Sequence, residues 1–264
     1  MNWTRLHELR EKRPLIHCVA NQVSANDCAN LVLAVGASPM MAAAPEEMAE
    51  ITARSDATVL NTGTPSREKF QACRLCGEAA GTQPVVLDPV GVGASSWRLQ
   101  NIRALLEHFT PSLLRVNLGE AKALLHRPGE EQGVDSPGCA ALDECLTAAK
   151  ALALQERTTV LLSGSTDIIT DGRRAWRIDG GSAQMARITG SGCMLSALCG
   201  SFAAVAEDAA EAALLASSFW KCCGQRAEAE AGSHCGSFRA ALLDAAGTLT
   251  ASELAEETYI TPLF

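Results

Sequence analysis

Short apolar segments alternate with longer helical segments along most of this 264-residue chain. Several of the short segments are apolar throughout, which is typical of strands buried on both faces of a mainly parallel sheet. Strands are predicted at residues 15–19, 38–41, 57–61, 84–88, 113–117, 159–163 and 168–170. Helices are predicted between them at residues 25–35, 67–80, 100–108, 120–126 and 142–155. This order predicts an α/β fold with three layers, α/β/α.

The carboxy-terminal third is predicted to be almost entirely helical, at residues 193–206, 208–231, 237–246 and 251–257. Residues 129–138 combine glycines, prolines and acids and indicate an exposed loop. A helix–strand unit of the same kind follows that loop, so we expect one domain over residues 1–264. Hydrophobic residues make up 47% of the chain but aromatic residues only 4%, so Ala, Leu and Val must fill the core.

Charge and cysteine content limit the possible partners. The formal net charge is −8 without a cluster of Lys or Arg, which excludes nucleic acid and anionic membranes as expected partners. The charged amino terminus and the lack of a long apolar window indicate a soluble, cytoplasmic protein. Eleven scattered cysteines, an odd number, argue against a disulfide framework. Cys73 and Cys76 have the spacing of a metal knuckle, but they lie in a predicted helix and favour a structural role.

The segment Gly190-Ser191-Gly192-Cys193 opens a helical run of small residues. The free backbone N–H groups at a helix start, together with the helix dipole, form an anion site. A helix start also favours the negatively charged form of a thiol such as that of Cys193. This combination is what transfer of a phosphoryl group to an alcohol requires. The structural alternative is tight strand–helix packing with a buried cysteine acting as a small apolar residue.

Polar residues follow three other predicted strands, where ligands bind in open parallel sheets. Asp88 could hold Mg²⁺ through water, or cap a turn. Arg115 could contact nucleotide phosphate, and Glu120 could share the metal or form a capping box with Asn117. Ser163 could donate to a phosphate oxygen, or be an ordinary turn residue.

The amino-terminal region carries little charge but many hydrogen-bonding groups. Asn21, Asn26 and Asn30 lie among small residues, and Met40 and Met41 follow a Gly-Ala-Ser-Pro segment. Such a lining suits a small, neutral, partly aromatic alcohol, although methionines in apolar runs are more often core residues.

Taken in order, several motifs resemble the hydroxyethylthiazole kinase family of the ribokinase-like superfamily, over nearly the whole chain. They are the Asn21 and Asn30 segment, Gly36-Ala37-Ser38-Pro39-x-Met41, Asn61-x-Gly63-Thr64, Asp88-Pro89-Val90-Gly91-x-Gly93-Ala94, Arg115-x-Asn117-x-x-Glu120 and Gly190-x-Gly192-Cys193. The Gly-Ala-Ser-Pro segment is among the most specific. So is Cys193, because most ribokinase-like kinases carry Asp at that position.

The resemblance implies a ribokinase-like fold and Mg²⁺-dependent transfer of the γ-phosphate of ATP to 4-methyl-5-(2-hydroxyethyl)thiazole, a step of thiamine salvage. It also implies a homotrimer with sites near the subunit interfaces. Cys193, Gly190 and Gly192 match the catalytic segment, where Cys193 takes the position of the superfamily's base. The other matches are Met41, Gly190 and Asn21 for the thiazole, Arg115, Ser163 and Ser191 for ATP, and Asp88 and Glu120 for the metal.

The chain also departs from the family pattern. Ala20 replaces a Thr, Val116 a Gly, Ser163 a Thr and Ser165 a Glu, and His234-Cys235 stands where Gly-Pro is common. Two other functions therefore stay open at this stage. One is a different ribokinase-like activity, on hydroxymethylpyrimidine, pyridoxal or a hydrate. The other is a catalytically silent metabolite-binding protein.

Overall fold

The computed structural model describes residues 1–125 and 142–264. Their nine strands form one sheet in the order β2-β1-β3-β4-β5-β6-β7-β8-β9. The strands are β1 Leu15–Val19, β2 Ser38–Met40, β3 Ala57–Asn61, β4 Val85–Asp88, β5 Leu113–Val116, β6 Thr159–Leu162, β7 Asp167–Thr170, β8 Ala175–Ile178 and β9 Ile260–Pro262. The first six strands are parallel, and the last three pair antiparallel at one edge.

Helices cover both faces of the sheet, as the alternation of segments predicts. The helices are α1 Arg5–Lys12, α2 Ala25–Val35, α3 Met48–Arg54, α4 Arg67–Ala79, α5 Ser96–His108, α6 Leu118–Leu125, α7 Leu142–Glu156, α8 Ser191–Ala203, α9 Ala209–Ala231, α10 Cys235–Thr248 and α11 Ala251–Glu257. Helices α2, α8, α9 and α10 pack together on one face, and α3 to α7 lie on the other. The three-layer α/β/α architecture, the mainly parallel sheet and the helical carboxy-terminal region are thus confirmed.

Side chains of the central strands alternate between two apolar cores. On β4, Val86 joins the core under α8 and α9, whereas Val85 and Leu87 join the opposite core. On β3, Val59 and Leu60 divide in the same way. Both faces of these strands are therefore buried, which explains why their sequences are apolar throughout.

Several predicted boundaries were wrong. The strands predicted at 38–41, 113–117 and 159–163 each end one residue earlier, and the helix predicted at 100–108 begins at Ser96 because Ser95 accepts a cap hydrogen bond from Arg98 N. The helix predicted at 193–206 covers Ser191–Ala203, because Gly190 takes the N-cap position. Helices α1 and α3 and strands β8 and β9 were not predicted. His126 and the loop at 129–138 lie outside the described residues.

Helix α4 carries the two cysteines with metal-knuckle spacing. Cys73 and Cys76 are fully buried in the core between α4 and the sheet. Burial raises the pKa of the Cys73 thiol to about 12 and that of Cys76 to about 11. Both thiols thus serve as apolar core groups.

Candidate active site

The parallel strands place most of the predicted site residues at one edge of the sheet. Asn21 follows β1, Asp88 ends β4, Asn117 follows β5 and Ser163 follows β6. Helix α8 packs against β3 and β4 on one face of the sheet. Its first residues carry the Gly190–Cys193 segment. The topology therefore brings together residues that lie more than 170 positions apart in the sequence.

Gly190 begins α8 in a conformation that suits only glycine. Its φ of +84° is left-handed, and a Cβ there would lie 2.7 Å from the Cβ of Ser24. Its carbonyl accepts the first helical hydrogen bond, from Met194 N at 2.8 Å. The N–H groups of Ser191, Gly192 and Cys193 have no acceptor within the helix, which is the arrangement that binds an anion.

Arg115 lies directly over the start of α8. A Cβ on Gly192 would lie 2.6 Å from both terminal nitrogens of the guanidinium, so only glycine leaves room for it. Arg115 Nη2 donates to Ser163 Oγ at 2.6 Å, and Nη1 lies 3.7 Å from Asp88 Oδ1. Burial lowers the pKa of Arg115, but the charges of Asp88 and Glu120 outweigh burial and raise it above its ordinary value. A fixed cation thus faces the predicted anion site.

Asp88 is fully buried beneath this cation. Its Oδ2 accepts hydrogen bonds from Asn61 Nδ2 at 2.8 Å and from Ser196 Oγ of α8 at 2.7 Å. Oδ1 has no hydrogen-bond partner. Burial raises the pKa of Asp88 to about 6, against the opposing effect of Arg115. Asp88 therefore links β3, β4 and α8 at the centre of the site.

Glu120 forms the capping box that its spacing allowed. Its Oε2 accepts from Asn117 N at 2.9 Å, while its own N–H donates to Asn117 Oδ1 at 2.8 Å. Oε1 accepts from Gly91 N at 2.9 Å, which ties the loop after β4 to the start of α6. Val116, where the family has Gly, is fully buried in β5 and leaves this cap intact.

A cavity of about 750 Å³ opens beside the start of α8. All the residues predicted for ATP binding line it, namely Arg115, Ser163 and Ser191, together with Gly190 and Gly192. Its volume lies within the range of sites for molecules of nucleotide size. Trp220 and Lys221 of α9 and the turn at Gly180 and Gly181 also line it.

A second, much narrower cavity is lined by Cys193, the residue after Gly192. It is lined by Cys18, Val19, Ala20, Asn21, Cys28, Val59, Asn61, Cys193 and Ala197. Asn21 Nδ2 lies 3.8 Å from Cys193 Sγ, so two residues predicted for the alcohol side are in contact. The volume is only about 10 Å³, roughly the space of one water molecule. Met41, also predicted here, lines neither cavity and is 38% exposed next to the edge strand β2.

The two acids predicted for Mg²⁺ do not form an ion cage by themselves. Asp88 Oδ1 is buried without a hydrogen bond and lies 3.7 Å from Arg115 Nη1, and both oxygens of Glu120 accept backbone N–H groups. Within residues 1–125 and 142–264, no three metal-binding side chains cluster around a common point. Since Mg²⁺ is commonly held by one or two carboxylates plus substrate phosphates, these acids fit a partial share of its coordination.

Sequence reasoning missed three buried residues of the site. Ser196 lies one turn into α8 and donates to Asp88. Lys69 of α4 donates to the backbone beside Asn21, and Lys221 of α9 donates to the loop that follows Ser163. Lysines in amphipathic helices ordinarily indicate an exposed face, so no local signal identified these two.

The architecture gives the class of fold first. The fold is shared with the pyridoxal kinase of Staphylococcus aureus in complex with AMP-PCP, with a TM-score of 0.62 and 16% identity over 80% of this chain and 88% of that one. This chain thus has the fold of the ribokinase-like kinases. In the described residues, no helix has the length and apolarity needed to cross a membrane.

Sequence comparison then gives the family. The pattern of the hydroxyethylthiazole kinase family matches residues 6–252, and the chain belongs to that family. The hydroxyethylthiazole kinase of Listeria monocytogenes serotype 4a is 44% identical over 243 residues, which cover 91% of this chain and 90% of that one. The solved structure of a hydroxyethylthiazole kinase protein from Pyrococcus horikoshii OT3 matches with a TM-score of 0.91 and 32% identity, covering 98% of each chain.

Proposed function

We propose that this protein transfers the γ-phosphate of ATP to the hydroxyl of 4-methyl-5-(2-hydroxyethyl)thiazole, as a step of thiamine salvage. One observation carries the proposal. Consecutive residues at the start of α8 line two different cavities, Gly190 to Gly192 the large one and Cys193 the narrow one. A phosphate bound at that helix start is therefore adjacent to a hydroxyl held beside Asn21.

In this reaction, the alcohol oxygen forms a bond to the γ-phosphorus while the bond to the β-phosphate oxygen breaks and ADP leaves. The N–H groups of Ser191, Gly192 and Cys193, with Arg115, stabilise the charge on the transferring group. Cys193, which lines the narrow cavity with Asn21, would accept the proton that the alcohol releases. The loose transition state of phosphoryl transfer requires little help from a base.

The donor set also supports a role for Mg²⁺ bound with the nucleotide. Asp88 and Glu120 would hold it in part, and it would neutralise phosphate charge. Arg115 supplies a positive charge that does not depend on a bound metal, since Ser163 and Asp88 hold its guanidinium in place.

The narrow cavity supports the further proposal of a homotrimer. A space of about 10 Å³ cannot enclose a thiazole ring. Exposed apolar side chains lie close by in the sequence, namely Val23, Leu33, Met40 and Met41. A second copy covering them would complete the wall of the alcohol site and bring Met41 into it.

A cytoplasmic location also belongs to this proposal, and the ten free thiols among the described residues agree with a reducing compartment.

The test is ADP release in a coupled assay, with the thiazole alcohol present or omitted. We expect release that depends on the alcohol and that exceeds release with pyridoxal or hydroxymethylpyrimidine. Release that is greater with one of the latter would assign the protein to a different ribokinase-like activity. Binding of the alcohol, measured by calorimetry, without any ADP release would indicate the silent binding protein.

A further inference from the structure

Lys69 is a buried lysine whose ammonium group, among the residues that the structure describes, donates to two backbone carbonyls and a hydroxyl. Its Nζ donates to Ala20 O at 2.7 Å, to Gly63 O at 2.6 Å and to Thr64 Oγ1 at 3.4 Å. The residue is 8% exposed. No acidic side chain of residues 1–125 and 142–264 forms an ion pair with it. A buried cation held in this way is expensive, and an apolar side chain of equal length would fill the same space.

The three acceptors belong to the two loops that shape the alcohol side of the site. Ala20 precedes Asn21 after β1, and Gly63 and Thr64 follow β3. Gly63 packs so closely on Asn21 that a Cβ there would lie 2.3 Å from Asn21 Nδ2. The Thr64 hydroxyl accepts from Gln22 N at 3.1 Å, a second link between the loops.

One of these loops is strained and needs such support. Thr64 has a φ of +48°, in the left-handed region that non-glycine residues rarely adopt. Such conformations persist only where the surroundings impose them. Burial lowers the pKa of Lys69, and the opposing effect of Cys73 and Cys193 offsets that only in part.

We propose that Lys69 is a positioning residue for the alcohol substrate. By joining the loops after β1 and β3, its ammonium group holds Asn21 against Gly63 and beside Cys193. This inference rests on the proposed function, because it assigns the alcohol to the cavity of Asn21 and Cys193. It does not make Lys69 a catalytic residue.

Lys221 provides a matched comparison on the nucleotide side. It is also a buried helical lysine, and its Nζ donates to Gly164 O at 3.1 Å and Ser165 O at 2.8 Å, in the loop after β6. Lys221 also lies 3.2 Å from Asp167 Oδ1 and lines the large cavity. The two lysines therefore hold loops that belong to different cavities, Lys69 the loop of Ala20 at the narrow one and Lys221 the loop of Gly164 and Ser165 at the large one.

The experiment compares four variants of the full chain, Lys69→Met, Lys69→Arg, Lys221→Met and, as a surface control, Lys12→Met. For each, KM is measured for the alcohol and for ATP by ADP release, and Kd for the alcohol by calorimetry. We expect Lys69→Met to raise KM and Kd for the alcohol about tenfold, with KM for ATP within about twofold of the wild type. Lys69→Arg, which keeps the charge, should recover part of the loss. Lys221→Met should raise KM for ATP and leave KM and Kd for the alcohol nearly unchanged. Lys12→Met should change none of the three constants.

Measuring KM distinguishes a positioning role of Lys69 from general damage to the fold. Partial unfolding lowers the rate in proportion to the protein lost but leaves KM unchanged. An unchanged alcohol KM in Lys69→Met, or equal rises for both substrates, would overturn the inference. If Lys69→Met does not fold, the same comparison of KM for the alcohol with KM for ATP is made on Lys69→Arg. If the wild type binds the alcohol but releases no ADP, the proposed function fails, while the alcohol Kd values still decide the role of Lys69. If the wild type does not bind the alcohol, the inference fails as well.

Discussion

The guanidinium of Arg115 packs directly against the backbone of Gly192 at the start of α8, in the space that a side chain would occupy. Any Cβ would lie 2.6 Å from both terminal nitrogens of Arg115. The same residue supplies one of the free N–H groups at the start of the helix. Gly192 therefore combines two requirements, space for the cation and an open backbone for the phosphate.

We expect Gly192→Val to lower the rate of ADP release by at least about a hundredfold, because the side chain displaces Arg115 and covers the anion site. The measurement is kcat in the coupled assay, with circular dichroism to verify folding. The matched control is Gly247→Val in α10, where a Cβ meets no atom closer than 4.0 Å. Activity near the wild-type level in Gly192→Val would contradict the placement of the phosphate.

At Cys193, the resemblance to the ribokinase-like kinases implies an Asp in most of them. We expect Cys193→Asp to keep turnover or raise it, since a carboxylate at a helix start is stabilised by the dipole and accepts a proton from the alcohol. The measurement is kcat at saturating ATP and alcohol. Complete loss of turnover in a folded Cys193→Asp protein would rule out the equivalence of the two side chains.

Among single residues, those that local patterns predicted follow strands or begin helices. The end of an apolar strand made Asp88 a candidate, the Asn-x-x-Glu spacing made Glu120 one, and the glycines before a helix made Gly190 one. Ser196, Lys69 and Lys221 lie inside helices, where a serine or lysine has the same local pattern whether it faces solvent or a site. Their roles depend on which loops lie above them, and only the folded chain supplies that information.

At the scale of elements, the buried strands were predicted, including β7 at residues 168–170, but β8 and β9 of the antiparallel edge were not. Strands β1 and β3 to β6 are apolar because helices cover both faces, and that pattern is visible in the sequence. Strand β8 contains Trp176 and Arg177 at half-buried positions, and β9 has only three residues, Ile260–Pro262. Pairing at this edge depends on the return of the chain after α11, a long-range contact that no local pattern encodes.

Helix α11, which precedes β9, is fixed by charges that give a testable pH dependence. Glu253 completes a capping box with Thr250 and pairs with Arg226 of α9 at 3.0 Å. Hydrogen bonds from Thr250 and Arg226 lower the pKa of Glu253 to about 2. A lowered pKa in the folded state means that ionised Glu253 stabilises the fold above its ordinary pKa of 4.5, and that this stabilisation is lost as the pH falls toward 2.

We therefore expect Glu253→Gln to lower the Tm at pH 7 by about 2 °C, a small effect because the group is exposed to solvent. The difference from the wild type should shrink as the pH falls below 4.5, where the wild-type carboxylate begins to lose its charge in the unfolded state. Thermal unfolding followed by circular dichroism between pH 7 and pH 3 measures this. The control is Glu256→Gln, an exposed acid on the same helix. A Tm difference that is constant with pH would exclude the charge as its source.

On the scale of the whole molecule, the sheet has two unlike edges. At one edge, β9 follows the last helix and pairs antiparallel with β8. At the other edge, β2 pairs parallel with β1. Met40 and Met41 at that edge are both more than a third exposed. The alcohol cavity lies near the same side, since Ala20 and Asn21 follow β1, the neighbour of β2. Exposed apolar groups beside an incomplete pocket are what an interface with another copy would cover.

We expect the wild type to have three times the chain mass of 27.7 kDa in solution, measured by light scattering after gel filtration. Met41→Glu should lower the mass and raise KM for the alcohol while leaving KM for ATP nearly unchanged. In the proposed interface Met41 would be a buried apolar contact, and a charge at such a contact weakens association. Tyr259→Glu, at a strongly exposed aromatic residue next to β9, is the control and should change neither mass nor KM. A wild-type monomer that is active with a low alcohol KM would show that one chain forms the whole site, and that the narrow cavity widens without a partner.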